Sequence, residues 1–307
     1  MDQSEQTPAV EAEKPFQFEL RTLFLIMFLF AAFCGFTCSF PFEWALIYWS
    51  ACLLLTGIVL VCRRDRRRLG KQMIVVGIVL AALFSYFRES LADAKEASRR
   101  AACISNLKHV GSALHYYADV HGSFPPAYIA DKSGKPMHSW RVLILQELGY
   151  QSLYDRYNFD EPWDGPNNSQ LHDEIVRVYS CPSKQAGAKW ADTSYVVVIG
   201  PGTAFPGKRG VKLSEFTDGT SNTITVVEVA NSGIHWMEPR DLDITKLAPT
   251  GKPLARLGAS SNHAIHVSAG FADGSVTPLN KEELTMEQLQ AVLSRNGRDN
   301  TNFLNAY

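Results

Sequence analysis

MIVVGIVLAALFSYFRESLADAKEASRRAACISNLKHVGSALHYYADVHG, residues 73–122, reads as one long helix that begins in a membrane and ends inside a folded domain. Its first fifteen residues are apolar all round and, at 1.5 Å per residue, cover about 22 Å of a hydrocarbon core roughly 30 Å thick. That is short, but sufficient with snorkelling flanks. The middle part is rich in Ala, Glu, Arg and Lys, which lose little entropy in a helix, so nothing stops the helix as it leaves the bilayer. Beyond it Cys103, Leu107, Val110, Leu114 and Tyr117 recur at spacings of four, three, four and three. All five therefore share one stripe facing a core. Gly122 closes the helix, and Pro125 and Pro126 prevent its resumption.

Upstream the chain is apolar and downstream it is not. The 307 residues carry a net charge of −1, and no global basic excess points to nucleic acid. Residues 1–19 are polar and acidic with two prolines, the composition of a disordered cytoplasmic tail, and lack the basic start and cleavage site of a signal peptide. Leu20–Phe40 and Trp44–Cys62 are two apolar runs separated by Pro41 and Glu43, which predicts a transmembrane hairpin over 20–62. Arg63, Arg64, Arg66, Arg67 and Arg68 sit in the next stretch, 63–72, and read as a positive-inside loop, with an anionic-lipid or nucleic-acid patch as the alternative. With that loop in the cytoplasm, the helix over 73–122 runs outward. The chain is then a multi-pass protein of the bacterial cytoplasmic (inner) membrane, and residues 123–307 form an extracytoplasmic domain.

Cysteine usage fits that placement. Cys34, Cys38, Cys52 and Cys62 fall in the apolar segments, as small packing residues. Cys103 and Cys181 belong to the exported part, where an isolated pair is a candidate disulfide and two buried thiols are the alternative. Neither has a Cys or His neighbour at metal-ligand spacing.

Residues 127–138 read as a loop, and Ser139 as the cap of a helix ending near Gly149. The stretch from Leu171 to Tyr179 suits a short helix leading to Cys181. Thr193–Ile199, Thr223–Val229, Ile265–Ala272 and Ser275–Leu279 are strand-like, the last two joined by the hairpin signal Asp273-Gly274. Thr285 and Gln288 make a capping box for a last helix through Ser294. The fold class is α+β, a long helix and a second helix followed by an antiparallel sheet.

These residues carry a resemblance. SRRAACISNLKHVGSALHYYADVHGSFPP (98–126), the Tyr179–Ser183 segment, DGTSNT (218–223) and an H-X9-DG element made by His263, Asp273 and Gly274 occur in the order found in a prepilin-like bacterial family, domain-of-unknown-function family 1559. The chain resembles that family over about residues 75–280. The resemblance implies a pilin-like fold, the long helix laid across an antiparallel sheet, and an association with type IV pilins or secretion pseudopilins. The sequence departs from the family pattern at Val75, which stands where a glutamate is expected, and in the two extra apolar segments ahead of it. Both features count against cleavage after Gly70 and against filament assembly.

Each chemical constellation also has a plain structural reading. His263, His266 and Asp273 could ligate a metal, but two histidines three apart on a strand point to opposite faces, and Asp273-Gly274 is explained by turn geometry. Asp218, Gly219 and Asn222 could offer oxygens to calcium, yet the stretch lacks the terminal glutamate of an EF-hand and suits an Asx-type turn. His109, His115 and His121 do not share one helix face. Ser183 and Ser221 have no nucleophile elbow, and residues 200–210 have no phosphate-loop spacing. The expectation is a non-catalytic, membrane-anchored protein without cofactor, whose partners are the lipid bilayer and other envelope or pilin-like proteins. The alternative is a tethered domain that binds a ligand or metal, or hydrolyses a substrate, through His263, His266 and Asp273.

Overall fold

The computed structural model describes residues 42–62, 66–184, 187, 189–248, 250–263 and 265–297. The expected tail over 1–19 and the first apolar helix over 20–40 lie outside them, as do Arg63 and Arg64. The chain divides into two compact units between Asp93 and Ala94.

The first unit contains helix α1 (Phe42–Cys62) and the start of helix α2 (Arg67–His121). Glycines set how closely these two helices pack: a Cβ at Gly57 would lie 2.8 Å from Ile74 Cγ1, and one at Gly70 would lie 2.6 Å from Val61 N. Gly70 is inside α2, its N–H bonded to the Arg66 carbonyl at 3.1 Å. The early part of α2 exposes Val75, Val76, Ile78, Val79, Leu80 and Leu83. By length and composition it is the one helix among the described residues able to cross a membrane.

The second unit is a mixed α and β structure. Its five-stranded sheet has the order β5-β3-β4-β6-β7, from β3 (Tyr195–Ile199), β4 (Ile224–Glu228), β5 (Leu242–Asp243), β6 (His266–Phe271) and β7 (Val276–Asn280). Four strands are antiparallel, as expected, but β5 adds a parallel edge beside β3, so the sheet is mixed. Two residues of pairing leave no periodicity to read. Pro278 is tolerated in β7 because that strand is the other edge.

The sheet is covered on both faces, which is why its strands are continuous β-branched runs instead of alternating ones. On one face Tyr195, Val197 and Val226 join Cys103, Leu107, Val110 and Leu114 of α2 in one core cluster. The stripe expected on α2 is thus the helix's buried face, and Gly122 ends the helix at φ +77°. On the other face Val196, Val198, Val227 and Val267 pack against α5 (Pro253–Leu257) and α6 (Met286–Leu293). A register shift between Ile224 and Val226 moves Ile224 to this second face. The capping box of α6 is present, with Thr285 Oγ1 accepting from Gln288 N.

Three local expectations need correction. Residues 127–138 are not a plain loop: β1 (Tyr128–Ala130) and β2 (Pro136–Ser139) form a hairpin around the Asp131 turn. Ser139 does cap a helix, but α3 (Trp140–Leu143) gives way to tighter turns up to Gly149, with the Leu145 N–H bonded to the Val142 carbonyl; Ile144 and Leu145 are both fully buried there. Between α4 (Gln151–Arg156) and β3 the anticipated helix over 171–179 is replaced by two 3-10 turns, Asn168–Leu171 and Arg177–Tyr179.

Candidate functional site

Period-two alternation along β4 places Glu228 on the same face as Val226, the face that α2 covers. Opposite it in register is Tyr195, whose hydroxyl donates to the Cys103 carbonyl at 3.3 Å. Cys103 stands on α2 and is bonded to Cys181, with Cα atoms 5.2 Å apart. The Cys181 segment is held by its own backbone: Ser194 Oγ accepts from Cys181 N at 3.0 Å, and Asn106 of α2 donates to the Ser180 carbonyl at 3.2 Å. The candidate disulfide is therefore present and ties the long helix to the loop that precedes β3.

His263 enters the same space from the loop before β6. Ser261 Oγ accepts from His263 N at 3.1 Å, and Lys281 donates to the His263 carbonyl at 2.6 Å, so the loop is fixed at both ends. The ring is 4 % exposed. Its Nδ1 lies 2.5 Å from Glu96 Oε1 of α2, while Nε2 lies 3.7 Å from Cys181 Sγ and 3.9 Å from Glu228 Oε1. The hydrogen bond from His263 is the main reason the Glu96 carboxyl titrates below the usual range. Glu228 moves the other way: burial raises its pKa, and the Ser261 hydroxyl and His263 only partly oppose this. Its Oε2 accepts from Ser268 N at 3.3 Å, whereas Oε1 has no hydrogen-bond partner among the described residues.

The structure separates the residues that the H-X9-DG spacing grouped. His263 and Asp273-Gly274 lie beyond opposite ends of β6. Asp273 is exposed and closes its own turn by accepting from Ser275 N at 2.8 Å, and Gly274 adopts φ +83°. A Cβ at Gly111 of α2 would sit 3.1 Å from Gly274 Cα, so the turn is seated on the helix by the absence of side chains on both sides. The two ends of the motif thus both contact α2, one through a charged hydrogen bond and the other through glycine against glycine. His266 is at the start of β6, half-buried, its pKa lowered by burial and by Arg100.

Asp218, Gly219 and Asn222 form a turn of their own. Gly219 has φ +100°, Asn222 Nδ2 donates to the Asp218 carbonyl, and Asp218 Oδ2 accepts from Gly297 N at 2.6 Å and from Ser294 Oγ at 3.3 Å. That carboxylate anchors the segment after α6. Sequence reasoning passed over Glu96 and Glu228, whose positions in a polar helix and in a strand carry no motif. The one available signal was an acidic residue inside the apolar run of β4.

A family model described as "Protein of unknown function (DUF1559)" matches residues 92–245. The match opens close to the boundary between the two units and ends before His263, so the H-X9-DG element lies outside it. No curated protein and no solved structure matches the chain.

Proposed function

This chain belongs to the DUF1559 family, and from that premise we propose that it is a membrane-anchored, pilin-like protein that holds a non-catalytic interaction domain outside the cytoplasm, for other envelope or pseudopilin-like proteins. The observation that carries the reading is the buried Cys103–Cys181 bond between α2 and the loop before β3, because such bonds persist in oxidising compartments and are rare in the cytosol. The apolar start of α2 supports the anchor, and the arginines at its amino-terminal end support a cytoplasmic origin for that helix. A long helix passing from apolar sequence into one face of a sheet supports the pilin-like comparison.

The test is protease protection in right-side-out membrane vesicles. Trypsin added outside should degrade the unit after Asp93 and leave an epitope on the amino terminus intact; protection of the second unit with loss of the epitope would reverse the topology and remove the proposal. A second reading, small-molecule binding, is favoured by a cleft of about 410 Å³ beside the disulfide, where Trp190, Ile175 and Arg177 flank Asn106.

A further inference from the structure

Cys103, Cys181, Glu228 and His263 are all buried, and each directs one ligand atom into a common space in which all four atoms lie within 4.8 Å of one another. We propose that this cluster is a redox-gated site for a zinc-type divalent cation: when the Cys103–Cys181 bond is opened, the two thiolates, His263 Nε2 and a Glu228 oxygen close around one ion. Two thiolates, an imidazole and a carboxylate form a borderline-soft set that suits zinc and not magnesium or calcium. A tetrahedral ion with bonds of about 2.3 Å to sulfur and about 2.0 Å to nitrogen and oxygen keeps its ligand atoms roughly 3.3–3.8 Å apart. The distance from His263 Nε2 to Cys181 Sγ, 3.7 Å, already falls in that range, and the one to Glu228 Oε1, 3.9 Å, is about 0.6 Å longer than the nitrogen–oxygen pair of such a site. The two sulfurs have to part, and the ligand atoms, now spread over up to 4.8 Å, have to draw in by up to about an ångström, motions that side-chain rotation supplies.

Two further observations point to a cation. With His263 Nδ1–H donating to the Glu96 carboxylate, the ring's proton stays on that side and the Nε2 lone pair faces inward. This carboxylate–histidine pairing is the arrangement that orients imidazole ligands around metals. Facing that lone pair is Glu228 Oε1, buried and without a hydrogen-bond partner among the described residues. Two acceptors turned toward each other in a core call for a positive charge between them, either a proton or a metal ion.

The chemistry balances with a dithiol as reductant. Its two thiols give two electrons and two protons to the Cys103–Cys181 bond and become a disulfide themselves, and the ion then displaces two protons from the newly formed thiols. Metal and disulfide are thereby alternative pins between α2 and the loop before β3, and the ion adds Glu228 of β4 to them.

The experiment uses the full chain in detergent with Co²⁺ as the probe. The reductant is a phosphine, which reduces the bond with water as oxygen donor and brings no competing thiol. The reduced chain should take up one Co²⁺ with a thiolate-to-metal charge-transfer band and lose it to Zn²⁺, while the disulfide form takes up none. Glu96→Gln should weaken binding about 10–100-fold without removing the band, as loss of an orienting partner does. His263→Ala should weaken it more. A reduced, folded chain that binds no Co²⁺, or binds it without a thiolate band, overturns the site; in that case a proton shared by His263 and Glu228 is the positive charge. Should His263→Ala fail to fold, the near-isosteric Glu96→Gln and Glu228→Gln chains decide, and unchanged affinity in both refutes the proposal. If reduction alone unfolds the protein, Co²⁺ added beforehand should preserve the fold, and unfolding regardless counts against it.

Discussion

Two buried charged clusters meet at Tyr195, and they are solved in opposite ways. On its backbone side the Tyr195 carbonyl accepts from Arg141 Nε at 3.1 Å, and Arg141 also reaches Ser139 Oγ, the Glu238 carbonyl and, in a close ion pair, Asp241. Asp241 Oδ1 collects Val197 N at 3.0 Å and Trp140 Nε1 at 3.3 Å as well. Both side chains are fully buried, and burial still pushes the Asp241 carboxyl up to about 6, against the pull of Arg141. Across the strand pair Glu228 is equally buried, but the nearest basic atom is His263 Nε2 at 3.9 Å. One carboxylate has its counter-ion built in, and the other faces a sulfur pair and a lone pair. Asp241 Oδ2, like Glu228 Oε1, has no hydrogen-bond partner among the described residues, so the difference between the clusters is the paired guanidinium: a charge-balanced cluster serves the fold, whereas one without a counter-ion is where a ligand can add free energy.

That contrast can be broken or sharpened by substitution. The largest effect belongs to the covalent part of the second cluster: replacing Cys103 and Cys181 together by serine frees a 78-residue loop and should cost about 4–5 kcal/mol in the chain-entropy description, read from urea denaturation in the absence of metal. A loss below about 1 kcal/mol would mean the pin matters little to the fold. Next comes Arg141→Met, which leaves Asp241 buried without its cation and should cost about 3–5 kcal/mol. A neutral result would show that Asp241 is already protonated at neutral pH and that the two clusters are less different than their geometry.

The smallest effect has the opposite sign. Glu228→Gln removes an uncompensated carboxylate and should stabilise the disulfide form at pH 7 by about 1 kcal/mol. Burial raises both carboxyls above their ordinary values of 3.8 and 4.5, so the folded chain binds more protons than the unfolded one in that range. Stability drawn from these groups is therefore present in acid and lost as pH rises through their folded values, from 3.8 to about 6 for Asp241. His138 runs the other way, since burial lowers its pKa and its share grows as pH rises. Comparing wild type with Glu228→Gln between pH 4 and 8 cancels both Asp241 and His138. The advantage of the variant should widen with pH, and a constant difference would show that the Glu228 carboxyl titrates alike in the folded and unfolded chain.

Much of this molecule is legible in the chain because its signals are local. The stripe from Cys103 to Tyr117, Gly122 as stop, the strand runs and the Thr285–Gln288 box each depend on neighbours within a few residues, and each stands where the chemistry of those residues puts it. The hairpin over 128–139 and the parallel edge β5 escaped, being too short to show a period. The site escaped for a different reason. His263 carries a recognisable spacing to Asp273, yet that spacing measures only the length of β6 and its flanks, and the strand carries the two residues apart.

By itself, then, the sequence determined the longer elements, the apolar segment able to cross a membrane and the cysteine pair open to oxidation, because propensity, capping and hydropathy act over a few residues. Only the tertiary structure decided that Cys103, Cys181, Glu228 and His263 share one buried space, with the half-exposed Glu96 hydrogen-bonded to His263 at its edge. They come from a helix, two loops and a strand spread over 168 positions of the chain. Their meeting follows from sheet register and from how α2 lies on β3 and β4, and burial there leaves Glu228 Oε1 without a hydrogen-bond partner among the described residues.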